Sequence, residues 1–468
     1  MDDNGSFVRV LGRKDVLAVG FGSMIGFGWV VLAGEFIGQA GTLGSALAFA
    51  VGGAIVCLVG LTYAELVSAM PKAGGEHNYA LRALGARPAF VTSWAVVIGY
   101  VSVVAFEAVA LPETVAYLLP DMPGPTLWSV AGSSVHSSWV VIGLVGAVTM
   151  TLVNYIGIRP ASVFQSIAVM FVLAVGATML LGVLVGGSSA NAEPLFAGGP
   201  SGVLAVIVVT PFLFLGFDVI PQSAEEVAFS RRRIGQVLVV SVLLATAWYV
   251  LVQLTVGFAI PGPESASAEL ATADAMTALW NTPIMGQVLV LGGIAGILTS
   301  WNGLLIGASR LIYAMAASGM LPAWFAHLHP KYRTPGNAVL FIGAISCISP
   351  FFGDQMLTWL SNAGSTNIVL GYLLVAVSFL VLRKREPELE RPYRVGPART
   401  VGVLAVGLSG VLILLCLPGM PAELVWPQEW LLVGALWVFG LIFFLRVPRV
   451  RPGPTAEQHL LQATGRVE

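Results

Sequence analysis

The stretch Gly20–Trp29, GFGSMIGFGW, lies inside the first long apolar run of the chain and places four glycines within nine positions. Glycine inside a helix costs about 1 kcal/mol relative to alanine. A run this apolar is expected to cross a membrane as a helix, because roughly 20 apolar residues span about 30 Å of hydrocarbon. The glycines therefore predict a membrane helix that is interrupted near its centre.

The composition points to one class of protein. Hydrophobic residues make up 57% of the chain and charged residues only 10%, whereas soluble domains carry about 25% charged residues. The sequence thus predicts an all-α, polytopic protein in the lipid bilayer. Its three cysteines lie in apolar runs and its five histidines in loops or the tail, so we expect no metal cluster, no cofactor and no nucleic-acid partner.

Hydropathy predicts twelve transmembrane spans, at 15–39, 42–68, 90–118, 138–156, 162–187, 203–229, 235–260, 284–318, 337–352, 356–382, 400–418 and 430–446. On this map the lysines and arginines all fall on one side. The opposite loops carry acidic residues, at Asp121, Glu193, Glu264, Glu269, Asp274, Asp354, Glu423 and Glu429. The positive-inside rule then places both termini in the cytoplasm of a cell-membrane protein.

The sixth span contains a second interruption. Its sequence TPFLFLGFDVIPQSAEEV, Thr210–Val227, has two prolines, Gly216 and the acidic Asp218 near its centre. Spans one and six are five apart, so they cross the membrane in opposite directions. Paired, interrupted spans in corresponding halves point to an inverted-repeat transporter whose binding site lies between them.

An opened helix at membrane depth exposes N–H and C=O groups, which persist only where they line a polar cavity. The amides of a half-helix suit a carboxylate, and the freed carbonyls suit an ammonium group or a metal cation. Alternatively, Gly22 and Gly26 form a GxxxG pair that lets two membrane helices pack closely. The matching interruption around Asp218 favours ligand binding over packing alone.

At these residues the chain resembles the amino acid–polyamine–organocation (APC) transporters, which share the leucine-transporter fold. Three segments carry the resemblance: GSMIGFG at Gly22–Gly28, PKAGGEHNYALRALG at Pro71–Gly85, and FLGFDVIPQSAEEV at Phe214–Val227. The resemblance implies a 5+5 inverted repeat with broken helices 1 and 6, which moves a small solute by alternating access. The implied units are a cytoplasmic N-terminus (1–14), a first repeat (15–187), a second repeat (203–382), two peripheral helices (400–446) and a cytoplasmic tail (447–468).

The resemblance also implies where a substrate binds. A substrate carboxylate would meet the amides around Ile25, Gly26, Phe27 and Gly28, and an amino group would meet carbonyls at Ser23, Phe214, Leu215 and Gly216. Phe27 stands where many members place Ser or Thr. With Trp29 and Phe217, it is expected to form an aromatic wall that attracts an organic cation.

Two carboxylates lie within predicted spans. Asp218 sits in the sixth-span interruption, and Glu107 shares a helical face with Tyr100 and Val103. Because burying a charge in a membrane is costly, such groups are candidates for binding a substrate amine or a proton. Alternatively, each is a structural carboxylate bonded to its surroundings.

The coupling ion stays open between a proton and sodium. Thr299 and Ser300 resemble the hydroxyl pair that binds sodium in sodium-coupled relatives, although such hydroxyls also bond back to their own helix. Proton-coupled relatives often carry a lysine on helix five, and span five here has none.

Three segments outside the spans also carry expectations. Pro71–Gly85 is expected to form a short amphipathic helix on the cytoplasmic face, and Glu225 and Glu226 either a cytoplasmic ion-pair gate or a charge cluster. Pro261–Asn281 is either a lid or a passive connector. The polar, proline-punctuated tail after Arg446 is expected to be mobile.

These observations predict a secondary active transporter of an amino acid or a related amine, driven by a proton or sodium gradient or by exchange. The alternative is a carrier of cationic amines or polyamines that lack a carboxylate. A channel would need a continuous polar stripe, and an enzyme would need a convergent catalytic set, and neither pattern is present. The solute, the direction of transport and the oligomeric state stay open.

Overall fold

The computed structural model describes residues 7–119, 122, 124–420 and 424–466 of the chain. Two residues assigned above to acidic outer loops, Asp121 and Glu423, lie outside the described residues. The described chain is almost entirely helical, with one short β-hairpin.

The α-helices are α1 (Arg13–Met24), α2 (Gly28–Val31), α3 (Ala33–Ala40), α4 (Thr42–Ala69), α5 (Glu76–Leu84), α6 (Ala86–Leu118), α7 (Ser137–Tyr155), α8 (Ile158–Gly186), α9 (Gly199–Leu213), α10 (Val219–Gln222), α11 (Arg231–Ala259), α12 (Gly262–Ser267), α13 (Ala271–Trp280), α14 (Pro283–Ala317), α15 (Gly336–Ile348), α16 (Gln355–Arg385), α17 (Ala398–Leu415), α18 (Gln428–Phe444) and α19 (Ala456–Ala463). Short 3₁₀ turns occupy Ser189–Ala192, Ala224–Glu226, Ala323–Ala326 and Ser349–Phe352.

Every predicted span contains an α-helix or a set of shorter helices. Within the described part of the chain, eight helices are long and apolar enough to cross a membrane: α4, α6, α7, α8, α11, α14, α16 and α17. Three shorter apolar segments, which begin at α9, α15 and α18, match the sixth, ninth and twelfth spans. The first span is divided into α1, α2 and α3, and the sixth into α9 and α10. The two predicted interruptions are therefore confirmed.

The core is built around α6, which packs against α14 and α16, while α4 packs along α11. Helices α8, α17 and α18 lie at the periphery and turn large apolar side chains outward. Leu184, for example, is 83% exposed and Met170 is 72% exposed. Apolar side chains on this scale are expected on a surface that faces lipid. The arrangement surrounds the two interruptions with protein and keeps them away from that surface.

The loops contain structure that the sequence did not predict. Strands Thr126–Val130 and Ser133–His136 form an antiparallel hairpin between the third and fourth spans. Helices α12 and α13 cover the far half of the first span, where Thr272 donates a 2.9 Å hydrogen bond to the Val30 carbonyl. The segment 261–281 thus lies where a lid would lie.

The prediction of a mobile tail is wrong for the described part of it. Helix α19 packs against α5, and its residues Ala456 and Leu460 are buried. Lys72 pairs with Glu457 at 2.6 Å, and the Gly453 amide donates to the Arg82 carbonyl at 2.9 Å. The overall polarity of the tail concealed this apolar i, i+4 pair.

Candidate functional site

The first-span interruption lies at Ile25–Phe27, between α1 and α2. The amides of Gly26 and Phe27 donate to no main-chain carbonyl among the described residues. Span eight supplies small residues here: a Cβ atom on Gly296 would lie 2.7 Å from the Ile25 carbonyl oxygen. The interrupted main chain is therefore held against another helix, with its amides directed elsewhere.

The sixth-span interruption covers Phe214–Asp218, between α9 and α10. Gly216 has a φ of 134°, which strongly favours glycine. Its amide donates a 3.0 Å hydrogen bond to Asp218 Oδ1. The helix is interrupted at this glycine, and the Asp218 carboxylate stabilises the opened backbone.

The two interruptions meet directly. A Cβ atom on Gly216 would lie 2.5 Å from Ser23 Cβ and 2.9 Å from the Ser23 carbonyl oxygen. The Tyr249 hydroxyl of α11 lies 2.8 Å from the Met24 carbonyl oxygen and 3.2 Å from that of Leu213. One hydroxyl therefore joins freed carbonyls of both broken helices.

A cavity of about 20 Å³ lies between these segments. Its volume has room for about one water molecule, so an organic solute fits only if the walls separate. Seven of the predicted substrate-binding residues line it: Ser23, Gly26, Phe27, Gly28, Val103, Glu107 and Leu215. The other six lie outside this lining: Ile25, Tyr100, Phe214, Gly216, Phe217 and Asp218. Ser300, predicted as a metal ligand, lines it as well.

Glu107 faces the opened backbone of the first span. A Cβ atom on Gly26 would overlap the Glu107 carboxylate and lie 2.8 Å from Ser300 Oγ. The Phe27 amide and the Ser300 hydroxyl both approach the carboxylate. Glu107 is 1% exposed, and no described residue forms a hydrogen bond with its Oε2. A carboxylate of the protein thus occupies the place that the resemblance assigns to a substrate carboxylate.

The aromatic wall includes Phe27 as predicted, but its other members differ from the prediction. Phe27 packs edge-on against Phe106 at 5.4 Å, and Phe106 packs against Phe212 at 5.8 Å. Trp29 instead contacts Trp248 at 5.1 Å, and Phe217 contacts Tyr63 at 5.3 Å. Because both of those rings face other helices, they do not join Phe27.

Asp218 belongs to a second polar group, which we call the tyrosine cluster. It comprises the carboxylates of Asp218 and Glu76 and the phenols of Tyr63, Tyr79, Tyr100 and Tyr372. All six side chains are at most 2% exposed. The Tyr100 phenol faces Asp218, and the Tyr63 phenol faces Glu76. Tyr100, which was expected on one face with Val103 and Glu107, thus lies with Asp218 instead, and both are outside the lining of the Glu107 cavity.

Glu76 was missed because its segment was interpreted as an amphipathic surface helix. The helix is confirmed as α5, yet Glu76 is fully buried and pairs with the Gln222 amide. Burial raises the pKa of its carboxyl well above the usual range, and the negative charge of Asp218 raises it further. The signal available in the sequence was the pair Gly74–Gly75 before Glu76, since two glycines permit the backbone to lie close to another segment.

The two hydroxyls predicted to bind sodium point to different partners. Thr299 Oγ1 donates to the Gly296 carbonyl of its own helix at 2.8 Å, whereas Ser300 faces Glu107. Beside them, Gln165 Nε2 of α8 donates to the carbonyls of Thr299, at 3.0 Å, and Ala18, at 3.3 Å. An amide group therefore bridges spans one, five and eight, and the sodium site stays a prediction.

The side of the molecule that carries α5 is closed by an ion pair. Arg310 forms two 3.1 Å contacts with Glu226, and their side chains are 1% and 2% exposed. The Phe7 ring lies 5.9 Å from the Arg310 guanidinium, and the Leu11 amide donates to the Glu226 carbonyl at 3.0 Å. Of the two alternatives for Glu225 and Glu226, the gate fits Glu226.

The remaining lining residues were not predicted from the sequence: Met24, Phe106, Phe212, Leu213 and Tyr249. They are apolar or aromatic residues within long apolar runs. No local pattern distinguishes them from residues that face lipid.

Comparison with known proteins identifies the family to which the chain belongs. The chain matches the family model described as "Amino acid permease" over residues 11–445. It is 27% identical to the branched-chain amino acid permease BcaP of Bacillus subtilis (strain 168), and 26% identical to the methylthioribose transporter of the same organism, over 93% of each chain in both cases. It is also 28% identical to human cationic amino acid transporter 4, over 84% of this chain and 62% of that protein. The chain therefore belongs to the amino acid permease family and is a multi-pass membrane protein.

Proposed function

We propose that this protein is a secondary active transporter that moves an amino acid, or a closely related amine, across the cell membrane by alternating access. The observation that carries the proposal is the contact between the two interruptions at Ser23 and Gly216. Free amides and carbonyls of both broken helices converge there, beside a cavity of about 20 Å³. Such groups suit a small zwitterion or cation.

The charges around the site favour a substrate with a positive group. Glu107 and Asp218 are buried, and no lysine, arginine or histidine nitrogen of the described residues lies within 4.0 Å of them. An ammonium group would compensate one of these charges. An acidic side chain would add a further negative charge, so we expect acidic amino acids to be poor substrates.

A second candidate substrate class is a cationic amine without a carboxylate. The observation that favours it is the position of Glu107, whose carboxylate lies against Gly26 and the Phe27 amide. Those amides already face a negative group, which a substrate carboxylate would have to displace. The phenyl ring of Phe27 would add cation–π attraction for an organic cation.

The orientation and energy source are part of the proposal. The loops that carry the lysines and arginines, including the segment before α5, are placed in the cytoplasm together with both termini. Movement is driven by a proton or sodium gradient or by exchange. Opening toward the cytoplasm requires the Glu226–Arg310 pair to separate.

Solute counterflow in proteoliposomes tests the function. Purified protein is reconstituted with a high internal concentration of one unlabelled amino acid or amine, and uptake of the same labelled compound is followed. We expect saturable, transient accumulation for at least one compound. Competition between an amino acid and its decarboxylated amine then separates the two classes, because only the second candidate predicts that the amine competes better. No counterflow with any amino acid or amine would contradict the proposal.

A further inference from the structure

The tyrosine cluster lies apart from the proposed solute cavity, and the solute cavity does not account for it. Its two carboxylates come from different parts of the chain. Asp218 belongs to the sixth-span interruption, whereas Glu76 begins α5, outside the spans. The following argument rests on the proposed transport function and concerns what this cluster contributes to it.

Two glycines bring Glu76 beneath the sixth span. Gly75 has a φ of 25°, and a Cβ atom there would lie 2.9 Å from Pro221 Cβ. A Cβ atom on Gly74 would overlap the Ala314 side chain of α14. Only residues without side chains allow so close an approach, and it places the next residue, Glu76, in contact with Gln222.

Neither carboxylate has a cationic partner within the described part of the chain. The ion pairs among the described residues involve Glu65, Glu226, Glu386 and Glu457, and none involves Glu76 or Asp218. The groups that face Glu76 are Tyr63 of α4, Tyr79 of α5, Tyr100 of α6, Tyr372 of α16, and Asp218. Two bare negative charges in such surroundings would repel each other with little screening. A cationic species is therefore required for charge balance.

Polar atoms of the cluster are also left without partners. Among the described residues, no hydrogen bond reaches Glu76 Oε1, Asp218 Oδ2, or the hydroxyls of Tyr63, Tyr79, Tyr100 and Tyr372. Buried polar atoms normally have partners, so six in one cluster indicate a group that the cluster receives. Phenols and carboxyls can each donate and accept a proton, and the rings are close: Tyr63 lies 6.4 Å from Tyr79 and 6.0 Å from Tyr372.

The cluster connects the sixth-span interruption with the side of the molecule that carries α5. Asp218 lies three residues from Leu215, which lines the solute cavity. Asn78, two residues after Glu76, lines a separate cavity of about 370 Å³ beside Lys72 and Arg82. A rearrangement of the sixth-span interruption on solute binding would move Asp218 relative to Glu76. The electrostatic repulsion between the two carboxylates then changes, and with it their affinity for a proton.

We propose that Glu76 and Asp218 form a shared proton site, entered from the cavity beside α5, that couples proton movement to solute movement. With one proton bound, one carboxyl is neutral and donates to its surroundings while the other stays ionised. On release, the O–H bond of the Glu76 carboxyl breaks, the proton passes to water in the α5-side cavity, and the carboxylate retains the electron pair. The Tyr63 phenol faces Glu76 and is free to donate to its ionised form, which it would stabilise.

The test separates coupling from transport. Wild-type protein and Glu76→Gln are reconstituted, and two quantities are measured for the best counterflow solute: counterflow without any ion gradient, and accumulation driven by an imposed pH gradient in sodium-free buffer. Glutamine keeps the size of the side chain and cannot release a proton. We expect Glu76→Gln to retain counterflow while its accumulation under a gradient of one pH unit falls by about tenfold, because one proton moved per solute supports an accumulation of about tenfold under that gradient.

The matched control is Glu429→Gln. Glu429 is likewise fully buried, but it lies on the peripheral α18 and accepts hydrogen bonds from Asn362 and the Val425 amide, each 2.7 Å long. The Glu429→Gln variant should leave both counterflow and pH-driven accumulation unchanged. Undiminished pH-driven accumulation by Glu76→Gln would overturn the proposal, as would loss of counterflow in folded Glu76→Gln or accumulation that requires sodium. Absence of counterflow in the wild type would instead contradict the proposed function.

Tyr63→Phe provides a second test if Glu76→Gln does not fold. Removing the phenol leaves the ionised Glu76 carboxylate with one donor fewer, so its protonated form becomes relatively more stable. The pH at which uptake is half-maximal should therefore shift upward. An unchanged pH profile in folded Tyr63→Phe would overturn the proposal.

Discussion

Gly216 of the sixth span lies against Ser23 of the first, so closely that a Cβ atom on Gly216 would lie 2.5 Å from Ser23 Cβ. Two helices interrupted at separate places in the sequence thus touch at their opened backbones. The contact explains why the glycine is needed there: its φ of 134° and the absence of a side chain are both required. The substrate site we propose depends on this contact.

Gly216→Ala should destabilise the protein and abolish counterflow. The added methyl group would be strained at this φ and would push the two interruptions apart, at a cost of about 1–3 kcal/mol. Thermal unfolding in detergent and counterflow in proteoliposomes measure the two effects. Gly410→Ala in α17 is the control, because a Cβ atom there would meet no atom of the described residues within 4 Å. Wild-type behaviour of Gly216→Ala would mean that the two opened segments are not tightly packed.

Tyr249→Phe should weaken solute binding while leaving the fold intact. The hydroxyl lies near the carbonyls of both Met24 and Leu213, and removing a buried partner costs about 1–3 kcal/mol. We expect the half-saturating solute concentration to rise by about tenfold, which corresponds to roughly 1.4 kcal/mol. Tyr313→Phe is the control and should have no such effect, because the Tyr313 hydroxyl forms no hydrogen bond with the described residues. Equal behaviour of the two variants would exclude Tyr249 from the site.

The interruptions could be predicted because their signals are local. Four glycines in Gly20–Trp29, and a carboxylate beside Gly216, are visible in a single apolar run. Glu107 could be placed as well, since an acidic residue within a span is rare. The twelve helical segments followed from hydropathy alone, because each must supply its own backbone hydrogen bonds.

Contacts between distant segments could not be predicted in this way. Tyr249, Phe106 and Phe212 line the cavity from the middle of ordinary apolar stretches, and only the packing of the helices selects them. Glu76 lies in a segment whose overall polarity indicates a surface helix. The glycines before it nevertheless allow Glu76 to be fully buried. Asp218 was expected to lie within the membrane span, and it is buried. Its membership of the tyrosine cluster, and not of the Glu107 cavity, depends on the orientation of α5 and α6.

Breaking the Glu226–Arg310 pair from one side should be more harmful than removing both partners. Each charge is buried, so Arg310→Met leaves a carboxylate unpaired at a cost of about 3–5 kcal/mol. We expect a marked fall in the unfolding temperature for Arg310→Met and for Glu226→Leu. The unfolding temperature of the double variant should fall by clearly less than the sum of the two single falls. Additive losses in this double-mutant cycle would show that the pair does not act as a unit.

His77 should make stability depend on pH. It is 2% exposed and lies 3.3 Å from Ser93 Oγ, and burial lowers its pKa to about 4. An unfolded chain binds a proton at histidine below about pH 6.5. Between that pH and about 4 the unfolded state therefore holds the extra proton, and stability falls as the pH is lowered, by up to about 3 kcal/mol.

Comparison of His77→Gln with the wild type isolates this effect, because Glu76 titrates in both proteins. The unfolding temperature of the wild type should fall more steeply than that of His77→Gln as the pH is lowered from neutral to about 5. Parallel curves would show that His77 is not buried in its neutral form.

The most direct test of the central claim is equilibrium binding of the solute identified by counterflow, measured on the purified wild type and on Gly26→Leu. A leucine side chain at Gly26 would fill the space between the first-span interruption, Glu107 and Ser300. We predict saturable binding to the wild type and none to folded Gly26→Leu. Unchanged affinity in Gly26→Leu would contradict the claim that the opened backbone of the first span binds the solute.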